Sequence, residues 1–151
     1  MLVDQFTRDG VVLEEALAYW VHRVYQATRN ESFRVFREAG EEITPEQWVI
    51  LVRLWQRDGR TQTELGESTF RDRPTMSRIL DGMERRELLV RRAAEEDGRA
   101  WRVYLTARGK GLEKRLVPVA RALVERSLRG ISRADLATTR ATLKKVFDNL
   151  T

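Results

Sequence analysis

The chain has no cysteine among its 151 residues. Disulfides, thiolate metal sites, thiol nucleophiles and cysteine redox sensing are therefore excluded together. The single histidine, His22, rules out a two-histidine zinc site and argues against a Ser/His/Asp triad. No run approaches 18 uninterrupted apolar residues, so no membrane span is expected. The first ten residues carry Asp4, Arg8 and Asp9 with no apolar run, which does not read as a secretory or transit segment. A cytoplasmic location follows as the expectation. Proline and glycine are scarce, at 3 and 9 residues, and there is no Ser- or Gly-rich linker or internal repeat. The chain accordingly reads as one continuous, mostly helical unit.

Hydrophobic residues make up 42% of the chain, enough at this length to bury one real core. Basic residues outnumber acidic ones by 28 to 23, which points toward a polyanionic partner, although a net charge of +5 also suits solubility alone. Of the basic residues 24 are Arg and 4 are Lys. What matters is where those arginines sit, because residues 60–110 hold 12 basic and 9 acidic side chains, a balance of only +3.

A first helix is expected over about residues 12–38, with Leu13, Leu17, Trp20, Val21, Val24 and Tyr25 forming an apolar stripe at three- and four-residue steps. Thr44-Pro45-Glu46-Gln47 is a capping box with proline at the first helical position, and it opens a second helix that presents Trp48, Leu51, Val52 and Trp55. Thr61-Gln62-Thr63-Glu64 is a second capping box, before a helix of barely two turns. Asp72 can cap a fourth helix whose apolar residues are Met76, Ile79, Leu80 and Met83. From Leu88 the period changes to that of strands over 89–92 and 102–105, joined by a charged loop at 94–99. A fifth helix is expected from Thr106 to about Arg129. A sixth begins at Ser132, with Asp135 as its capping partner, and repeats Leu136, Leu143 and Leu150. The compact middle offers too little surface to cover the stripes of the outer helices, so a second copy of the chain is the economical partner.

Helix, helix, tight turn, helix and two-stranded ribbon make a winged helix-turn-helix. Such a unit lays its second helix in a DNA major groove with the N-terminal residues against base edges. Arg71, Arg73 and Arg78 cluster at the start of that helix, with Thr75 and Ser77 between them. Arginine pairs bidentately with guanine or binds phosphate, and Thr or Ser serves either purpose. Arg91, Arg92, Arg99 and Arg102 decorate the ribbon, and Arg85 and Arg86 read as ordinary surface charges.

The sequence resembles the MarR family of transcriptional regulators. The match runs through Thr44-Pro45-Glu46-Gln47-Trp48, Thr63-Glu64-Leu65, the run from Arg73 to Asp81, and the wing pattern Asp97-x-Arg99-x-x-x-Val103-x-Leu105-Thr106-x-x-Gly109. The resemblance implies a mainly α fold, with dimerisation helices at 12–40 and 107–151 around a winged helix-turn-helix domain at 44–106. It further implies a homodimer with interleaved termini that binds a pseudo-palindromic double-stranded DNA operator, as a repressor by family analogy and without a cofactor or metal. Carried over by position, Arg73, Pro74, Thr75, Ser77 and Arg78 match the recognition helix, Arg99 the wing arginine placed in the minor groove, and Asp97 the acidic residue that fixes the wing. Arg99 could instead only brace the wing. Two residues depart from the pattern: Gly82 lies inside the recognition helix, and Glu87 stands where a small turn residue, usually glycine, is expected. The resemblance also implies a pocket where dimerisation helices meet the lobe, open to a small aromatic or phenolic effector. Trp20, His22 and Trp48 come from the elements that would line it, while a place in the core for the tryptophans is the plainer reading. A winged-helix module used for protein contacts, with no operator of its own, is the alternative; no constellation supports an enzyme.

Overall fold

The computed structural model describes residues 5–7, 10–69, 72–96 and 98–151. A short hairpin, β1 (Phe6–Thr7) and β2 (Gly10–Val11), leads through a 3-10 turn at Leu13–Glu15 into α1 (Leu17–Glu38). Then follow α2 (Pro45–Gln56), β3 (Arg60–Thr61), α3 (Gln62–Thr69), α4 (Arg73–Arg85), β4 (Leu89–Ala93), β5 (Trp101–Leu105), α5 (Ala107–Ser127) and α6 (Arg133–Leu150). The fold is mainly helical with a winged helix-turn-helix at its centre.

Local side-chain chemistry sets most helix starts. Thr44 Oγ1 accepts from the Gln47 N–H at 3.2 Å while Gln47 Oε1 accepts from the Thr44 N–H at 3.2 Å. Thr61 and Glu64 repeat that exchange at 3.1 and 2.8 Å, and the Ser132 hydroxyl accepts from the Asp135 N–H at 3.0 Å. Each cap satisfies amides that the first turn leaves without a partner. α1 starts later than its apolar stripe predicts. Its N-cap, Ala16, has no side-chain acceptor, and upstream the Val12 N–H is drawn to the Gln5 carbonyl at 2.8 Å, extending the hairpin.

The sheet is antiparallel in the order β3-β5-β4. It thus gains a strand beyond the expected two, because Arg60 and Thr61 pair with Val103 and Arg102. Ile50, Leu51 and Leu54 of α2, Leu65 of α3, Met76, Leu80 and Met83 of α4, and Val103 of β5 form the core together with Phe36, Leu112 and Leu116 from the outer helices. α4 closes in a Schellman motif: the Leu88 N–H reaches the Met83 carbonyl and the Glu87 N–H reaches that of Glu84. Glu87 occupies the left-handed position of that motif, with φ 57°. Beside it α5 approaches so closely that a Cβ on Gly109 would lie 2.1 Å from the Leu88 carbonyl oxygen. Gly82 has no such need, since its nearest neighbours stand at ordinary contact distance.

The elbow between α1 and α2 buries one charged residue. Glu41, 5% exposed, faces Arg115 of α5 at 3.0 Å, Arg108 of α5 at 3.4 Å and Arg86 at 3.5 Å. Arg86 also donates to the Glu42 carbonyl, so it is a structural tie where a surface charge was expected. The outer helices, by contrast, keep their apolar stripes uncovered. α6 buries no residue, and Leu17, Trp20, Val21 and Val24 of α1 are exposed together with Leu143, Val146, Phe147 and Leu150 of α6.

Candidate nucleic-acid interface

The start of α4 is shaped by Asp72. Its carboxylate accepts from the Thr75 N–H at 2.8 Å and from the Thr75 hydroxyl at 2.9 Å. The Thr75 N–H first, then its hydroxyl, hold the Asp72 carboxyl below the usual carboxylate range. The cap fixes the helix rotation: Met76 turns into the core, Arg73, Pro74 and Arg78 face solvent, and Thr75 and Ser77 are half-buried. Thr75 therefore meets a partner with its hydroxyl proton already committed to Asp72, leaving its oxygen as an acceptor. Arg71 and Asp97 lie outside the described residues.

The wing is held against α4 by a charge clamp. Arg91 of β4 donates from its guanidinium to Glu84 at 2.9 Å and to Asp81, while its backbone N–H donates to Glu84 at 3.1 Å. The Arg91 guanidinium, followed by that N–H, keeps the Glu84 carboxyl below its ordinary range. Arg102 is similarly occupied, donating to the Gly59 carbonyl at 2.8 Å and reaching Glu96 at 3.4 Å. The Arg92 guanidinium lies 5.5 Å from the centre of the Tyr104 ring. Two of the four ribbon arginines thus tie the lobe together. Arg99 is exposed in the turn at the wing's end, whose base is closed by the Ala94 N–H donating to the Ala100 carbonyl at 2.8 Å.

Between the helix pair α3–α4 and this wing runs a groove of about 540 Å³, with Gln62 of α3 and Arg73 and Ser77 of α4 on the helical side and Arg99 and Trp101 on the wing side. Trp101 was not singled out in the sequence. A lone aromatic at a strand end looks like core material, and period-2 counting aligns it with buried Val103 and Leu105. The strand runs past the core before reaching it, and the indole is 51% exposed.

The weak effector candidates do not share a cavity. Trp20 is exposed, with its indole N–H on the Glu14 carbonyl at 2.8 Å, and His22 is exposed as well. Two helical steps place His22 about 200° round the helix from Trp20, so the two side chains leave α1 on nearly opposite sides. Trp48 packs on Phe36 and Trp55 with ring centres 4.9 and 5.5 Å away, which makes it core. A cavity of about 130 Å³ does exist where α1, α2 and α4 meet. Tyr25, Glu46, Val49, Met76 and Ile79 line it, and Glu46 is paired there with Arg29. Burial pushes the Glu46 carboxyl up, but its hydrogen bonds and Arg29 outweigh that and leave it below the ordinary value.

A capped helix with outward arginines, clamped to a β-ribbon across an open groove, defines a winged helix-turn-helix protein. The MarR family's sequence profile matches residues 43–101. The organic hydroperoxide resistance transcriptional regulator of Bacillus subtilis is 32% identical over 77 residues, 51% of this chain and 52% of that protein; the chain spans about half the length of that relative. Among solved structures, the PcaV regulator of Streptomyces coelicolor, in complex with its natural ligand, superposes with a TM-score of 0.82 at 24% identity, covering 94% of this chain and 99% of PcaV. The S. aureus MepR–DNA complex does so with a TM-score of 0.82 at 23% identity, covering 90% and 99%. The likeness to the MarR family in sequence is thus confined to residues 43–101, while the likeness in fold extends over nearly the whole chain.

Proposed function

We propose that the chain is a sequence-specific DNA-binding transcriptional regulator that acts as a homodimeric repressor. The observation that carries this reading is the solvent-facing pair Arg73 and Arg78 on the first turns of a capped helix, with Arg99 across the groove on the wing. α4 enters the major groove with its positive end toward the duplex, and Arg73, Pro74, Thr75, Ser77 and Arg78 meet bases or phosphates. Arg71 stands at the same helix start in sequence and joins that set. The wing carries Arg99 to the adjacent minor groove, and Asp97, two residues earlier in sequence, belongs to the same set. The exposed stripes of α1 and α6 support dimerisation through the outer helices, which pairs two lobes on a pseudo-palindromic operator.

A small aromatic or phenolic effector releases the DNA in this scheme, and the cavity beside Tyr25 and Glu46 is its seat. At about 130 Å³ the cavity is smaller than an ordinary ligand pocket of roughly 300 Å³ or more. Occupancy therefore requires α1 to shift against α2 and α4, which couples binding to lobe placement through a population shift. Peroxide cannot act on this chain through a thiol, because it has none.

Selection of duplexes from a random library, followed by a salt titration, tests the reading. Log affinity should fall linearly with log salt, and Arg78→Ala should cost about 1 to 3 kcal/mol with relaxed base preference if it contacts a guanine. A chain that recovers no duplex is a protein-interaction module instead.

A further inference from the structure

We propose that Trp101 is a contact to the DNA sugar–phosphate backbone, its indole forming the apolar wall against which a deoxyribose packs between the recognition helix and the wing. The inference rests on the DNA-binding reading above and adds to it a residue with no charge. A major groove and its neighbouring minor groove are separated by a single sugar–phosphate strand. A protein with α4 in one groove and the wing in the other must straddle that strand, so the strand's path is the gap between the two elements. In this chain that gap is the groove of about 540 Å³.

Its walls match the two chemistries of such a strand. Arg73 and Arg99 face it against one carboxylate, Glu67, among its described lining residues, a balance that favours phosphate. Phosphate contacts leave the C–H face of the sugar to be covered, and Trp101 supplies a broad apolar surface for it. The indole is held for that purpose. Trp101 begins β5 opposite Ala93 and points to the same side of the sheet as buried Val103 and Leu105. It therefore reaches the groove from a rigid strand, with only two side-chain torsions left to order on binding. An indole half-exposed at a fixed site beside two arginines has the composition of a nucleic-acid-facing surface.

Contact by an uncharged ring differs measurably from contact by an arginine, because no counterion release accompanies it. The test uses the full-length protein and the tightest duplex that the wild-type chain recovers from a random library. Trp101→Ala should weaken binding about tenfold with the salt slope unchanged, whereas Arg73→Ala should lower the slope by about one. Trp101→Phe should stay within about threefold of wild type. Its melting temperature should match wild type, and DNA addition should no longer change its tryptophan emission as it does in the wild-type protein. Wild-type affinity in Trp101→Ala, or a full emission change surviving in Trp101→Phe, overturns the Trp101 contact while leaving the regulator reading intact. Failure of the wild-type chain to recover any duplex overturns both.

Discussion

The winged lobe from α2 to β5 and the two helices that follow it divide burial and charge in opposite ways. The lobe holds most of the buried core, yet residues 45–106 carry 12 basic and 11 acidic side chains, almost neutral. Residues 107–151 carry 11 basic and 4 acidic side chains, and their second helix buries nothing. The part that reads DNA in the proposed scheme is thus the less basic one. Its positive character is local, made by pairing Arg91 and Arg102 with carboxylates inside the lobe while Arg73 and Arg78 stand exposed at the start of α4. Net charge is a poor guide to such a surface; the pairing of each arginine is a good one.

The contrast in packing can be broken most sharply at two glycines of α5. Gly109→Ala pushes a methyl into the Leu88 carbonyl oxygen and should destabilise by about 3 kcal/mol or more. Gly111→Ala, with nothing within 4 Å of its Cβ, should stabilise the helix by up to about 1 kcal/mol. Urea denaturation of the two variants measures the difference. On the outer helices, Phe147→Glu places a charge in an apolar stripe that is exposed in the single chain. Sedimentation should show monomer at micromolar concentration where the proposed scheme makes the wild type a dimer, with the lobe's circular dichroism kept. A dimer surviving this change would move the interface off α6.

Smaller effects sharpen the view of the lobe. Glu84→Gln weakens the Arg91 clamp and should cost about 1 kcal/mol at pH 7, discounted for its partial exposure. Because the folded carboxyl titrates below its unfolded value, this stabilisation is fully present above the unfolded pKa and is lost as pH falls through the lower, folded one. The gap between variant and wild type in urea should therefore close on acidification below about pH 4.3. Glu87→Gly removes a side chain from a left-handed position and should gain about 0.5 kcal/mol, since relief of strain exceeds the added freedom of the unfolded chain.

These residues also separate what was legible in the sequence from what was not. The caps at Thr44, Thr61, Asp72 and Ser132 could be read because a side chain and an amide three residues on meet by local geometry alone. Glu87 stood out because one turn position demands a left-handed residue. The third strand was hidden, because Arg60 and Thr61 find their partners some forty residues away. The same distance problem concealed which arginines are spent inside: Arg91 and Arg102 look no different in sequence from the exposed Arg73. Trp101 was missed because its period belongs to the core while its position lies past the core's edge, and Trp20 and His22 were gathered by element without regard to the helical angle that sets them on different faces of α1.

One buried carboxylate has a mechanical consequence. Glu41 is gripped by three arginines, Arg86 at the end of α4 and Arg108 and Arg115 of α5. A group so enclosed cannot be stripped of its cations cheaply. The elbow before α2, the end of α4 and the first half of α5 are therefore tied at one point, and without Glu41 the three guanidiniums gathered there would repel one another.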